Sequence, residues 1–371
     1  MENPSANAPY AQLRSDSVTS TDGRVFGLDA LRCLAIVLVV LTHGLPLWPG
    51  TWLGSVLSVL PDGVEIFFVL SGYLIGGILL RSSLKSGGLA HFWARRWMRT
   101  LPAYFVVLFV SLGLVHLGLL HTNGSLPWWR YATFTHNLMS PFVGFFWESW
   151  SLSIEEWFYV VAPLLMLFGK RLGKARAYLL SASSMILFAW IWRWQLDPGL
   201  IDAFGWDQWY RKLVPGRLDA IGWGLIAAFV HRRWSLRFHT WRIWALALGL
   251  TIVFGLLGID RDWNGAFVRV GLLGIQSFGV ALILPVFARW HRNVRGASVV
   301  LFLSRVSYSL YLVNLGWVAV PLRRILDGAE IHGGPIWFML YLALSLTIAA
   351  ILCHAVELPL MRLRDRVVSR D

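Results

Sequence analysis

Arg32 and His43 stand eleven positions apart in the stretch LDALRCLAIVLVVLTHG, residues 28–44. At 3.6 residues per turn, eleven positions make close to three turns. The two side chains therefore share one face of a helix, about 16 Å apart along its axis. The residues between them are almost all apolar. An ionisable group at depth in a membrane helix is costly, and it faces a bundle interior or a wet cavity. Taken singly, Arg32 is accounted for by snorkelling to the boundary and His43 by one structural hydrogen bond. Two such residues on one face point to a site.

Other ionisable residues fall at comparable positions. The next apolar stretch opens PDGVEIFFVLSGYLIGG, with Asp62 ahead of it and Glu65 just inside its end. Glu65 would lie at a depth similar to His43, where it could orient the imidazole and stabilise its cationic form. An acid favoured by the helix N-terminal dipole is the alternative. In HFWARRWMRTLPAY, residues 91–104, Arg96 and Arg99 share a face at i, i+3. Paired guanidinium groups suit bidentate phosphate recognition, although with Arg95 they also read as an ordinary basic cluster at a membrane boundary. FWESWSLSIEEWFYVVAP, residues 146–163, places Glu148, Glu155 and Glu156 at or inside an apolar boundary. Packing does not explain three carboxylates there. A proton path, a contact with a substrate hydroxyl, or partner arginines would, and Arg211, Lys212 and Arg217 are candidates for the last.

These residues must be positioned by membrane-spanning helices. Of 371 residues, 57% are hydrophobic and only 14% charged, and the mean hydropathy is +0.59; a soluble protein is nearer a quarter charged. Ten apolar segments run roughly over 27–48, 62–80, 101–120, 148–168, 177–195, 213–230, 243–259, 266–288, 299–320 and 336–358. Each approaches the ~20 residues a crossing needs. They predict an all-α integral membrane bundle of about ten transmembrane helices. It forms one membrane domain over 25–371 after a polar, disordered tail over 1–24, with no fused soluble domain. Ser71, Gly72, Gly76 and Gly77 offer small surfaces for close helix packing.

The net charge of +13 first suggests nucleic acid. The positions of the basic residues exclude that reading. Assigning loops alternately from the amino terminus puts 23 Lys and Arg on the starting side and 9 on the other, with Arg32 inside the first helix completing the 33. This is the positive-inside pattern of ten spans with both termini cytoplasmic. The 22 Trp residues gather near segment ends, as interfacial belts do; the same rings could line a sugar-binding face. Cys33 and Cys353 both lie in apolar segments, so neither a disulfide framework nor a thiolate metal site is expected. The first apolar run carries Arg32 and has no small-residue cleavage site after it, which reads as an uncleaved helix.

With these residues in view, the chain resembles the acyltransferase 3 family of integral membrane acyltransferases. These modify bacterial surface polysaccharides, lipopolysaccharide, peptidoglycan and some secondary metabolites. The matching stretches are GLDALRCLAIVLVVLTH, GVEIFFVLSGYLIGG, FWARRWMRTLPAY, SWSLSIEEWFYVVAP and SYSLYLVN, in order from residue 27 to 314. The resemblance implies an O-acyltransferase of the bacterial cytoplasmic membrane. It would move an acyl group, most commonly acetyl, from cytoplasmic acyl-CoA to a hydroxyl of an extracytoplasmic or lipid-linked sugar, without a metal. His43 would be catalytic, taking the proton of the attacking hydroxyl or carrying the acyl group itself, with Glu65 stabilising the imidazolium. Arg32, Arg96 and Arg99 would bind the acyl-CoA, and Glu155, Glu156, Trp150 and Ser151 the acceptor. The pantetheine arm is long enough to bridge Arg32 and His43.

Two departures accompany the resemblance. Asn314 in SYSLYLVN stands where many members carry His. No esterase-like extracytoplasmic domain is present, so the membrane domain would finish the transfer itself or use a separate extracytoplasmic partner. The competing class is a proton-coupled transporter or flippase of a glycan or small solute, which would also employ in-membrane Arg, His and Glu. No inverted repeat is visible.

Overall fold

A computed structural model of the protein describes residues 25–52, 62–81, 88–120, 127–141, 144–233, 238–291 and 294–368. The expected tail over 1–24 lies outside the described residues. All ten apolar segments fold as helix, and the described residues contain no strand. The principal helices are α1 (Phe26–Gly44), α2 (Gly63–Arg81), α3 (Gly88–His116), α4 (Ser149–Phe168), α5 (Lys174–Gln195), α6 (Leu218–Arg233), α7 (Phe238–Gly255), α8 (Leu272–Phe287), α9 (Ala297–Val313) and α10 (Pro335–Leu352). Helices keep their backbone hydrogen bonds within the segment, which is what lipid demands of a spanning element.

Eight helices are long and apolar enough to cross a membrane, or nine if one bent pair is a single span. Two of the ten expected spans are altered. The segment expected at 213–230 is one limb of a corner: Ala203–Arg211 and Pro215–Arg233 meet at 89°. Pro215 and Gly216 interrupt helical hydrogen bonding there. Buried Asn137 takes up the backbone groups this frees. Its side-chain amide donates to Lys212 O at 2.7 Å, and its main-chain carbonyl accepts from Val214 N at 3.1 Å. The segment expected at 243–259 leaves its α-helix at Gly255, so that Trp241–Gly255 is a shorter apolar helix.

α1 lies between α2 and α9; α2 also packs extensively on α6, and α6 on α5 and α8. The α2–α6 crossing is close because both sides are glycine. A Cβ on Gly224 would stand 2.8 Å from Gly72 Cα and 2.7 Å from the Tyr73 amide nitrogen. Of the small residues read from α2, Gly72 and Gly76 thus pack on α6, whereas Ser71 faces a cavity and Gly77 meets only Arg81. α9 passes into a π-helical segment, Asn314–Ala319, whose Gly316 amide donates to Glu148 Oε1 at 2.7 Å. Such widened turns recur at functional sites.

Candidate active site

Three arginines converge on one cavity. Arg32 enters from α1, and Arg96 and Arg99 from one face of α3. Arg32 lies 3.4 Å from Asp29, which also accepts a hydrogen bond from Ser304 at 2.6 Å. Among the described residues, the guanidinium groups of Arg96 and Arg99 make no hydrogen bond or ion pair. Two guanidinium groups with open donors, sharing the cavity with Glu155, could take an anion, and their fork geometry suits phosphate. The hydroxyls of Ser71, Tyr159, Ser307 and Tyr308 lie along the same walls.

A second cavity holds His43. Asp62, Glu148, Trp147 and Trp150 border it, and the corner before α6 contributes Arg211 and Lys212. Asp62 sits at the start of α2, where it accepts from the Val64 amide at 2.9 Å, as a helix-capping side chain does. It also accepts from Arg211 Nε at 2.9 Å. Arg211 bonds Asp207 at 2.7 Å and lies 4.9 Å from the centre of the Trp150 ring. His43 itself is held through Nδ1, 2.7 Å from Asn314 Oδ1.

The two cavities share a wall. Val64 and Tyr311 line both, and Tyr311 Oη lies 2.6 Å from Ser151 Oγ across it. Arg32 and His43 therefore stand at the two ends of one composite space. Trp150 belongs to the histidine side and Ser151 to the arginine side.

The candidate carboxylates are placed differently from the sequence expectation. Glu65 does not bond His43. It is buried in an ion pair with Arg217 and accepts from Ser277 of α8. α2 turns it toward α6 and α8, while α1 lies on another face. The carboxylates bordering the histidine cavity are Asp62 and Glu148. Neither Glu155 nor Glu156 borders the histidine cavity. Glu155 lies in the arginine cavity, accepting from Ser71 at 2.7 Å and Tyr159 at 3.2 Å. Glu156 accepts from Thr100 and Trp97 of α3, each at 3.0 Å. They stand six and seven residues beyond Ser149, just under two turns into α4, which moves them from the boundary toward the arginines. The other basic candidates pair elsewhere: Arg211 with Asp62 and Asp207, Lys212 with Asp207. Among the described residues, no group of three or more His, Cys, Asp or Glu side chains could hold a metal ion.

A family model described as an acyltransferase domain matches residues 25–354. The chain belongs to this acyltransferase family. Similar proteins include "Putative peptidoglycan O-acetyltransferase YrhL" of Bacillus subtilis (strain 168), 36% identical over 43% of this chain and 26% of that protein. "Nodulation protein 10" of Rhizobium leguminosarum bv. viciae is 25% identical over 94% of this chain and 97% of its own. "Putative O-acetyltransferase SACOL0978" of Staphylococcus aureus (strain COL) is 25% identical over 81% of this chain and 52% of its own. The chain thus spans about a quarter of the first and about half of the third. No solved structure matches.

In this acyltransferase domain Tyr311, Thr42 and Lys212 also line the histidine cavity, and none of them stands out as a site residue in the sequence. Tyr311 lies in SYSLYLVN, yet helical periodicity cannot say that its hydroxyl reaches Ser151, 160 positions away. Lys212 was noted only as a pairing candidate. Its place at the histidine cavity follows from the corner at Pro215, a break that proline and glycine do signal.

Proposed function

We propose that the chain is a membrane O-acyltransferase that carries an acyl group, acetyl in the first instance, from acyl-CoA to a hydroxyl of a sugar. One observation carries this reading: an arginine-lined cavity and a histidine-lined cavity adjoin through the shared wall of Val64 and Tyr311. The phosphates of the donor would rest against Arg32, Arg96 and Arg99, and the thioester would extend toward His43. The acceptor would enter the histidine cavity, where Trp147 offers an aromatic face and Asp62 and Glu148 offer hydrogen-bond acceptors to sugar hydroxyls. The acetyl group and the carbohydrate are supported by the names of the relatives. Acyl-CoA is a cytoplasmic donor, so the arginine end would face the cytoplasm, in keeping with the excess of Lys and Arg on that side. The chain would then sit in a bacterial cytoplasmic membrane with both termini inside.

His43 would act as general base toward the acceptor hydroxyl. An acyl-histidine intermediate is the other route, and trapping labelled acyl-enzyme without acceptor separates the two. A carrier would require broken helices at corresponding positions of two halves, whereas one bent pair is present among the described residues.

The test compares surface glycans and secreted glycosides by mass spectrometry in a deletion strain, the strain restored with wild type, and the strain restored with His43→Ala at equal membrane level. An ester that vanishes on deletion, returns with wild type and stays absent with His43→Ala supports the reaction and names the acceptor. Unchanged esters with a glycan or solute accumulating on one side of the membrane would replace the enzyme reading with the carrier one.

A further inference from the structure

His43 makes its side-chain hydrogen bond through Nδ1, to Oδ1 of Asn314 at 2.7 Å. The far side of the amide decides which partner carries the hydrogen. Asn314 is fully buried, and its Nδ2 lies 2.8 Å from Leu310 O and 3.0 Å from Tyr311 O. Both are backbone carbonyls, which only accept. Turning the amide over would set its oxygen against two carbonyl oxygens, with no hydrogen between them, so the amide nitrogen must face them. Tyr341 completes the arrangement. Its one hydroxyl hydrogen is shared between Val40 O on α1, at 2.9 Å, and Asn314 Oδ1, at 3.2 Å. Its ring fills room that Gly44 leaves, since a Cβ there would stand 2.6 Å from the ring. Asn314 Oδ1 therefore accepts, and Nδ1 of His43 holds the hydrogen. A neutral imidazole carries one such hydrogen, so the lone pair sits on Nε2. Among the described residues no hydrogen bond engages Nε2, and His43 borders the cavity.

We infer that Asn314 is a positioning residue for the transfer: its amide oxygen commits His43 to the tautomer whose Nε2 takes the acceptor's proton. This rests on the acyltransferase reading above. In the step itself, Nε2 takes the hydroxyl proton as the acceptor oxygen bonds to the thioester carbonyl carbon. The carbon–sulfur bond then breaks, and the proton passes from Nε2 to the departing thiolate, leaving an ester and the free thiol of CoA. While the imidazole is cationic, its Nδ1–H bond to Asn314 is charge-assisted and stronger.

The test uses the full-length protein in nanodiscs with acyl-CoA and the acceptor identified by mass spectrometry, comparing wild type, His43→Ala, Asn314→Ala and Asn314→Asp. Aspartate keeps an oxygen toward Nδ1 and loses both bonds made by Nδ2, so it separates tautomer control from amide packing. Asn314→Ala is expected to lower kcat on the order of 100-fold, with KM for acyl-CoA within about threefold of wild type. Asn314→Asp is expected to recover most of that rate. Equal loss in Asn314→Asp and Asn314→Ala would make the amide purely structural and overturn the inference, as would full activity in Asn314→Ala. Nitrogen-15 NMR of histidine-labelled protein, with His43→Ala assigning the signal, reads the hydrogen position whatever the activity. Hydrogen on Nδ1 supports the inference, and hydrogen on Nε2 overturns it. A wild type that forms no ester, with the NMR signal as expected, would count against the acyltransferase reading alone.

Discussion

Tyr311 Oη lies 2.6 Å from Ser151 Oγ, and the pair closes the wall between the arginine cavity and the histidine cavity. A thioester anchored at the arginines must pass this wall to reach His43. Tyr311→Trp should therefore lower ester formation at least about tenfold while CoA binding to the purified protein stays unchanged, a loss confined to the reacting geometry. Tyr311→Ala should raise the release of CoA thiol in the absence of acceptor. Assaying thiol release and ester formation side by side checks both. Normal transfer by Tyr311→Trp would mean the acyl group takes another path.

Arg96 and Arg99 should act on the donor. Hydrogen bonds to charged groups are worth about 1.5–3 kcal/mol, so Arg96→Ala and Arg99→Ala should each raise KM for acyl-CoA roughly tenfold to a hundredfold. Lysine replacements should recover only part of this, because an ammonium lacks the planar fork. Titration of CoA binding by calorimetry, repeated at raised salt, reads the loss and its screening.

Glu65 should matter for stability. Its carboxylate and Arg217 are both withdrawn from solvent, and breaking a buried pair by removing one partner costs about 3–5 kcal/mol. Glu65→Gln should lower the thermal midpoint and the membrane level, while the folded fraction keeps kcat within about threefold. A variant of full stability with a collapsed kcat would return Glu65 to the chemistry.

His136 should make the fold acid-sensitive. It is fully buried, stacked 4.5 Å from Tyr131 and 3.0 Å from Ser149 Oγ. Burial pushes its imidazole down to about 3. The unfolded chain titrates near 6.5 and so binds more protons than the folded one between these values. Stability is thus complete above about pH 6.5 and is lost as pH falls toward 3, by about 2 kcal/mol between pH 7 and 5. Thermal midpoints across that range should fall in wild type and flatten in His136→Phe. An unchanged slope in the variant would assign the sensitivity to other groups.

Legibility in the sequence followed the range of the interactions. The helices were legible because ~20 apolar residues suffice to specify one locally. Their exceptions are the 89° corner, which comes from Pro215–Gly216, and the early end of α7, which falls at an exposed glycine, Gly255. The shared face of Arg32 and His43 was legible because it is set by one helical period. The partner of Glu65 was not: Arg217 lies 152 positions away, and periodicity gives a residue's face without naming what meets it. For the same reason Glu155 joined the arginines. Its depth in α4 depends on how α4 slides against α2 and α3, which no single segment records.

Arg32 and His43 are mounted on one run of α1 with neither glycine nor proline between them. Their spacing is fixed in the backbone and cannot adjust to the donor. On the proposed function the helix would serve as a ruler. A thioester on a short thiol, such as N-acetylcysteamine, would rest beside the arginines or reach the imidazole, whereas a carrier of full CoA length would do both at once. Discrimination among donors by length would then be set by a count of eleven residues, independently of which acyl group is carried.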